Sequence, residues 1–384
     1  MLYNYGFYEL FFPTLTIFTL GLLIITFYFK SFKYGLIISF IKSILFFIYF
    51  YFYFKYGEGF TFLDDINYLE ISNKLSNEYS IGYFIIHPFA LLDIIGSKNF
   101  LYYFINLISI KLFGNYYFSP VVFNIIITYF TAIFLYKILD MLNIKIAYII
   151  SLFYLIQWDI LSWNFFNFKD FWVQFLTILL IYFLLKFDKY KNIINMLAVI
   201  CIIFLLFILR FYIPYLIVFS FLLFKLYILF LNSNNKSNYY IVFSILIVSL
   251  IIILNTILKS EFNLFLNNLT NPIIGIIRYL LTPLPFHMDI GYEYLMFSSL
   301  LNFLTFGLFI YGIYVFMMIE NKYKYFILSY FMIILLFYGC FRELQGPRHK
   351  IQILPFIALF EFLGFYTFLQ FIMESKDEKN KFFN

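Results

Sequence analysis

Charge is scarce in this chain, so two neighbouring carboxylates need a reason. Asp64 and Asp65 stand in Phe-Leu-Asp-Asp-Ile-Asn-Tyr, residues 62–68. One carboxylate here can take the proton of an acceptor hydroxyl, or hold a divalent cation (Mg or Mn) against a phosphate. Asp is also a good helix N-cap and complements the helix dipole. One Asp suffices for a cap; the second asks for another role. Lys169–Asp170, in Asn-Phe-Phe-Asn-Phe-Lys-Asp-Phe-Trp, offers a cation for phosphate and a second acidic element, with Asp64 and Asp170 as the candidate metal ligands. The same pair also suits an interfacial aromatic belt with Trp163 and Trp172. Arg342-Glu-Leu-Gln-Gly-Pro-Arg348-His349-Lys350 reads as a cationic clamp for a lipid phosphate, or as a charged loop that snorkels. Arg278, ahead of Pro283 and Pro285, and Arg210, ahead of Tyr212 and Pro214, are either phosphate contacts or structural. Glu361 inside an apolar run is a functional suspect, or a buried hydrogen-bonded carboxyl. Tyr68, His87 and His349 complete the candidates, although a lone His before Pro88 is more often structural.

The four arginines are unevenly placed. Arg210, Arg278, Arg342 and Arg348 all fall between apolar runs on one side of the chain's alternation, as do His87, His287 and His349. The loops on the other side use only Lys. Arg grips phosphate bidentately with a planar fork, whereas Lys is a point charge. An anion site on the Arg side follows, unless four residues fall together by chance.

The elements that carry these residues are membrane helices. The chain is 64% apolar and 26% aromatic, with 12% charged residues, against about 25% in ordinary globular domains. Mean hydropathy is +0.91. The expected class is an all-α polytopic membrane protein. Apolar runs of about 17–25 residues predict about eleven spans, at 8–29, 36–54, 118–138, 146–163, 170–187, 193–209, 212–231, 239–258, 294–318, 324–341 and 351–372. The first is read as a retained span, since it lacks a basic leader and a cleavage site. Lys30, Lys33, Lys137, Lys145, Lys186, Lys189, Lys191, Lys236, Lys322 and Lys324 share one side, which the positive-inside rule makes cytoplasmic. The N-terminus and Asp64 are then outside and the C-terminus inside, in a plasma (inner) membrane. The net charge of +6 implies no nucleic-acid partner. Cys201 and Cys340 form no disulfide framework or metal spacing.

Two long segments fall on the outer side. Residues 55–117 hold three short amphipathic pieces, near 66–78, 83–95 and 100–113. In the first, Tyr68, Ile71 and Leu75 share a face opposite Asn67, Lys74 and Asn77, a pattern that lies along a membrane surface. Residues 259–293 carry Pro272, Pro283 and Pro285, expected to break any helix. The organisation is two N-terminal helices (1–54), one membrane domain (55–372) and a cytoplasmic tail (373–384).

The order of motifs resembles the GT-C glycosyltransferases, the group of protein mannosyltransferases and aminoarabinose transferases. Asp64, Asp65 and Tyr68 match an Asp-Asp/Glu-x-x-Tyr element opening the first long loop. Gly-Tyr-Phe-Ile-Ile-His-Pro (82–88), Leu-Phe-Gly (112–114), Lys169–Asp170, Leu-Arg-Phe-Tyr (209–212) and Gly-Pro-Arg-His-Lys…Leu-Pro-Phe (346–356) follow. The resemblance covers roughly 55–372. It implies a sugar donor carried on a polyprenyl phosphate, a glycan or lipid-linked acceptor, and lipid packed around the fold. It makes Asp64 the base, Asp170 the second acidic element, and Arg342, Arg348 and Lys169 the phosphate contacts; Asp65 is a further catalytic candidate, and Arg210, Arg278 and Lys350 are further candidates for the donor phosphate. Two departures leave the acceptor open: an extra N-terminal span and a C-terminal tail in place of a large soluble domain. The rival enzyme is a polysaccharide polymerase or ligase acting on lipid-diphosphate oligosaccharides. The non-enzyme rival is a lipid-sugar flippase or transporter, favoured only by Glu361 and Lys42.

Overall fold

The computed structural model of the chain describes residues 5–57, 59–87, 90–96, 99–232, 269–286 and 291–382, without the side chains of 231–232 and 374–382. The expected span at 239–258, His287 and most of the 259–293 segment lie outside them. The described residues are helical with one isolated bridge, Leu269 to Phe341. The chain is an all-α polytopic membrane protein by this measure. Among the described residues, seven helices are long and apolar enough to cross a membrane.

Helices α1 (Phe7–Phe29) and α2 (Phe32–Ile48) form a hairpin. Helix α2 runs on through a wider turn to Tyr56, and Phe54 at its end stacks on Tyr117. Four short helices follow: α3 (Leu63–Glu78), α4 (Ile81–Ile86), α5 (Ala90–Ile95) and α6 (Phe100–Phe113). The amphipathic reading of this segment holds. Tyr68, Leu75 and Phe84 are buried, while Asn67, Lys74 and Asn77 are exposed.

Helix α7 (Phe118–Met141) is the most enclosed of the long helices. The run expected as one span at 146–163 is broken. Helices α8 (Ala147–Ile156) and α9 (Trp158–Trp163) meet at Gln157, whose backbone leaves the helix and whose side chain caps α9 through Ile160 N–H. Apolar composition did not reveal this break, because a capping Gln looks like any other polar residue in a span. Helices α10 (Asp170–Tyr190), α11 (Ile193–Leu209) and α12 (Tyr212–Asn232) complete the first half.

The prolines of the second long segment do not prevent a helix. Pro272 takes the first turn of α13 (Pro272–Leu281), where a missing N–H costs nothing. Helices α14 (Met296–Met317), α15 (Lys324–Cys340) and α16 (Leu354–Phe382) follow, the last entered through a tight turn at Pro347–Ile353. Two crossings are made by glycine. A Cβ on Gly275 of α13 would overlap the carbonyl of Gly339 on α15, and one on Gly312 of α14 would overlap that of Phe360 on α16. Small residues let helix backbones approach in this way. The alternation of the helices gathers the ends of α2, α9, α11 and α15 with the starts of α3, α7, α10, α12 and α16. The loops carrying Lys30, Lys191 and Lys322 fall at the opposite end.

Candidate functional site

The two adjacent aspartates are separated by the first turn of α3. Asp65 caps it: Phe62 N–H donates to Asp65 Oδ1 at 2.8 Å, and the Tyr117 hydroxyl donates to Oδ2. Asp65 is wholly buried, and burial outweighs these hydrogen bonds and pushes its carboxyl up to about 7. Asp64 points the other way. Its side chain is 52% exposed and Oδ2 meets Arg348 Nη1 at 2.7 Å. Its other oxygen accepts no hydrogen bond from a described residue. The cap and the exposed carboxylate are thus two different aspartates.

Asp170 starts α10 and is fixed from the loop before it. Asn124 of α7 donates to the carbonyls of Phe166 and Phe168, at 3.0 and 3.1 Å. Asn167 donates to the Asp65 carbonyl at 3.0 Å and to Asn106 at 2.8 Å, tying this loop to α3 and α6. Buried amides in so apolar a chain are costly unless paired, and here they are paired. Arg210 Nη2 reaches Asp170 Oδ1 at 2.6 Å and Arg348 Nε lies 3.3 Å from Oδ2. Gln352 donates to Oδ1 at 3.2 Å. Arg210 Nη1 also donates to Tyr212 at 2.9 Å and to His349 Nδ1 at 3.1 Å, which makes Nδ1 the acceptor of that ring. Tyr338 donates to Gln352 at 2.5 Å and stacks on His349. Arg348 also lies over the Phe168 ring, 4.8 Å from its centroid. One guanidinium therefore joins Asp64 to Asp170.

Of the residues expected from sequence, the structure brings together Asp64, Asp170, Arg210, Arg348, His349 and Lys169, with Tyr68 buried beside them against Tyr102 and Tyr103. Lys169 Nζ donates to Asn99 at 2.6 Å. Burial, aided by Arg210, lowers its amine to about 7. Lys350 is not part of this group. It turns inward to Asp159 at 3.7 Å, beside Asn302 and Glu361. His87 is exposed and packs on Tyr83, away from the cluster. Lys42 is buried in α2 and donates to Thr128 at 2.7 Å. The candidate metal ligands Asp64 and Asp170 do not suit a cation, since the Arg348 guanidinium already bridges them. Among the described residues no three His, Cys, Asp or Glu side chains gather.

Arg278 and Arg342 differ from the other pair. Both are exposed and neither makes a side-chain ion pair or hydrogen bond among the described residues. They line a cavity of about 660 Å³ with Ile274, Ile277, Leu281 and Tyr292. The glycine crossing of α13 and α15 sets their separation. Gln345 reinforces it, donating to Thr270 and to the Gly339 carbonyl at 3.0 and 2.9 Å. The cavity adjoins the charged cluster twice. Pro347 lines it and precedes Arg348, and Tyr292 packs on Phe62 at 5.7 Å, two residues before Asp64.

Sequence reasoning missed Asn124, Asn167, Gln352 and Tyr338. Asn124 stands alone in an aromatic and apolar run, and that isolation is the signal that marks it. No protein-family model, curated protein or solved structure matches this chain.

Proposed function

We propose that the chain is a membrane glycosyltransferase that takes a sugar from a polyprenyl-phosphate donor, with Asp64 as the base. The observation that supports this most is the pairing of an exposed carboxylate with a neighbouring cavity that has an apolar wall and two arginines without side-chain partners among the described residues. An amphiphile with an anionic head suits that cavity: guanidinium forks for the phosphate oxygens and Ile274, Ile277 and Leu281 for the first prenyl units. The acceptor oxygen attacks the anomeric carbon and the bond from that carbon to the phosphate oxygen breaks. Its electron pair leaves on the phosphate, where Arg278 and Arg342 meet the charge. The acceptor's proton passes to Asp64. Arg348 holds that carboxylate in position, and Asp170 anchors Arg348 in turn. No metal is called on. The order of motifs that resembles the GT-C glycosyltransferases agrees with this reading, and the lysine loops at the far end of the helices support an extracytoplasmic site in the plasma membrane.

Two arginines in one cavity also suit a diphosphate, which favours a polymerase or ligase acting on lipid-diphosphate oligosaccharides as the second reading. The test is transfer of labelled sugar from a panel of polyprenyl-phosphate hexoses and pentoses to an envelope glycolipid extract by the purified protein. Asp64→Asn is expected to abolish transfer while melting as the wild type does. Full transfer by a folded Asp64→Asn protein would remove Asp64 from the mechanism.

A further inference from the structure

A second cavity, of about 270 Å³, lies on the other side of Arg348. One wall is basic: Lys169, Arg210 and Arg348. The lining also includes Phe207 and Leu209 at the end of α11 and Phe211 just beyond it. Arg210 and Arg348 are bound to Asp170 and Asp64, whereas Lys169 has no carboxylate partner among the described residues and binds only the Asn99 amide oxygen. Arg210 itself is not fully satisfied. It is only 9% exposed, and its Nε has no hydrogen-bond partner among the described residues. A buried guanidinium N–H left unpaired costs free energy that a ligand oxygen would recover.

The cavity also has an apolar approach. Leu197, Ile200, Phe204 and Phe207 are exposed and follow one another at spacings of three, four and three residues. They form a single stripe along α11. Its last member, Phe207, lines the cavity. A chain lying along this stripe would bring its head to Lys169 and Arg210.

We propose that this cavity binds the anionic head of a second amphiphile, and that the acceptor is therefore lipid-linked and phosphate-bearing. The proposal deepens the transferase reading and rests on it for the word acceptor. The binding claim stands by itself. It assigns the two basic cavities to two substrates, with Arg348 and Asp64 between them. Lys169 and Arg210 bind the second head, and the Arg278–Arg342 cavity binds the first.

The test is native mass spectrometry of the full-length protein in mild detergent, titrated with farnesyl phosphate and counting bound molecules. Two are expected on the wild type. Lys169→Met is expected to lose one and Lys169→Arg to keep both. Phe207→Asp, at an exposed position near the end of α11, is expected to lose the same one with its melting temperature checked against the wild type. Arg278→Gln with Arg342→Gln is expected to lose the other. A wild type that takes one molecule, or Lys169→Met and Phe207→Asp proteins that keep both, would overturn the proposal. Inorganic phosphate binding at this cavity as tightly as farnesyl phosphate would overturn it too, since the ligand would then be a free anion. Loss through Lys169→Met and Phe207→Asp, but none through the arginine pair, would leave this site standing and remove the donor cavity.

Discussion

Arg210 and Arg348 end on carboxylates, while Arg278 and Arg342 end on none among the described residues. The first pair is held by Asp170 within a web that also includes Gln352, Tyr212 and His349. The second pair projects into a cavity fixed by backbone contact between two glycines. The difference separates two uses of the same side chain. Buried guanidinium groups with matched partners hold a site in shape and spend most of their charge internally, although Arg210 keeps its Nε unpaired among the described residues. Exposed guanidinium groups without partners keep their donors for a ligand. On this comparison the anionic head of the donor belongs to Arg278 and Arg342, and Arg348 serves to place Asp64.

The largest effect that would sharpen the comparison comes from Asp170→Asn. It leaves Arg210 enclosed without its counter-charge, a loss of about 3–5 kcal/mol, visible as a large drop in melting temperature in detergent. A melting temperature like the wild type's would mean that the Asp170 web does not hold the fold. Next comes Arg278→Gln with Arg342→Gln. Each lost charge-assisted hydrogen bond is worth about 1.5–3 kcal/mol. Donor affinity should fall by at least about tenfold, read by titration, with no change in melting temperature. A shared drop in affinity and stability would make this pair structural after all.

The third and smallest change is in the pH profile of stability. Asp65 has its carboxyl raised from 3.8 to about 7, so the folded state holds a proton that the unfolded state has released. Its contribution is full below about pH 4 and is lost as pH rises through 7. Lys169 is lowered from 10.5 to about 7, so the folded state there binds fewer protons than the unfolded one. Its effect is the reverse: stability rises from pH 7 toward 10. Asp65→Asn is expected to flatten the acid limb and Lys169→Met the alkaline limb of melting temperature against pH. A variant that flattens neither limb would place the titration elsewhere.

Much of the fold was legible from run length and periodicity. The amphipathic face of α3 follows from Tyr68, Ile71 and Leu75, and the long apolar runs give the helices directly. Gln157 was not legible, because its break depends on a cap that composition does not show. Nor was the division of labour between Asp64 and Asp65, since Asp65 is claimed by Tyr117, 52 positions away. The Asp64–Arg348 contact spans 284 positions and Arg210–Asp170 spans 40. The sequence carries the residue types and their side of the chain. Which guanidinium is spent and which is free depends on packing that brings distant segments together.

The most direct measurement is native mass spectrometry of the purified protein for the lipid that accompanies it from the cell. The account expects a polyprenyl monophosphate, with or without one sugar, retained by Asp64→Asn and lost from Arg278→Gln/Arg342→Gln. A diphosphate carrying an oligosaccharide would move the assignment to the polymerase or ligase. Ordinary phospholipid alone, or a polyprenyl lipid retained without both arginines, would contradict the central claim that the uncommitted pair holds the donor.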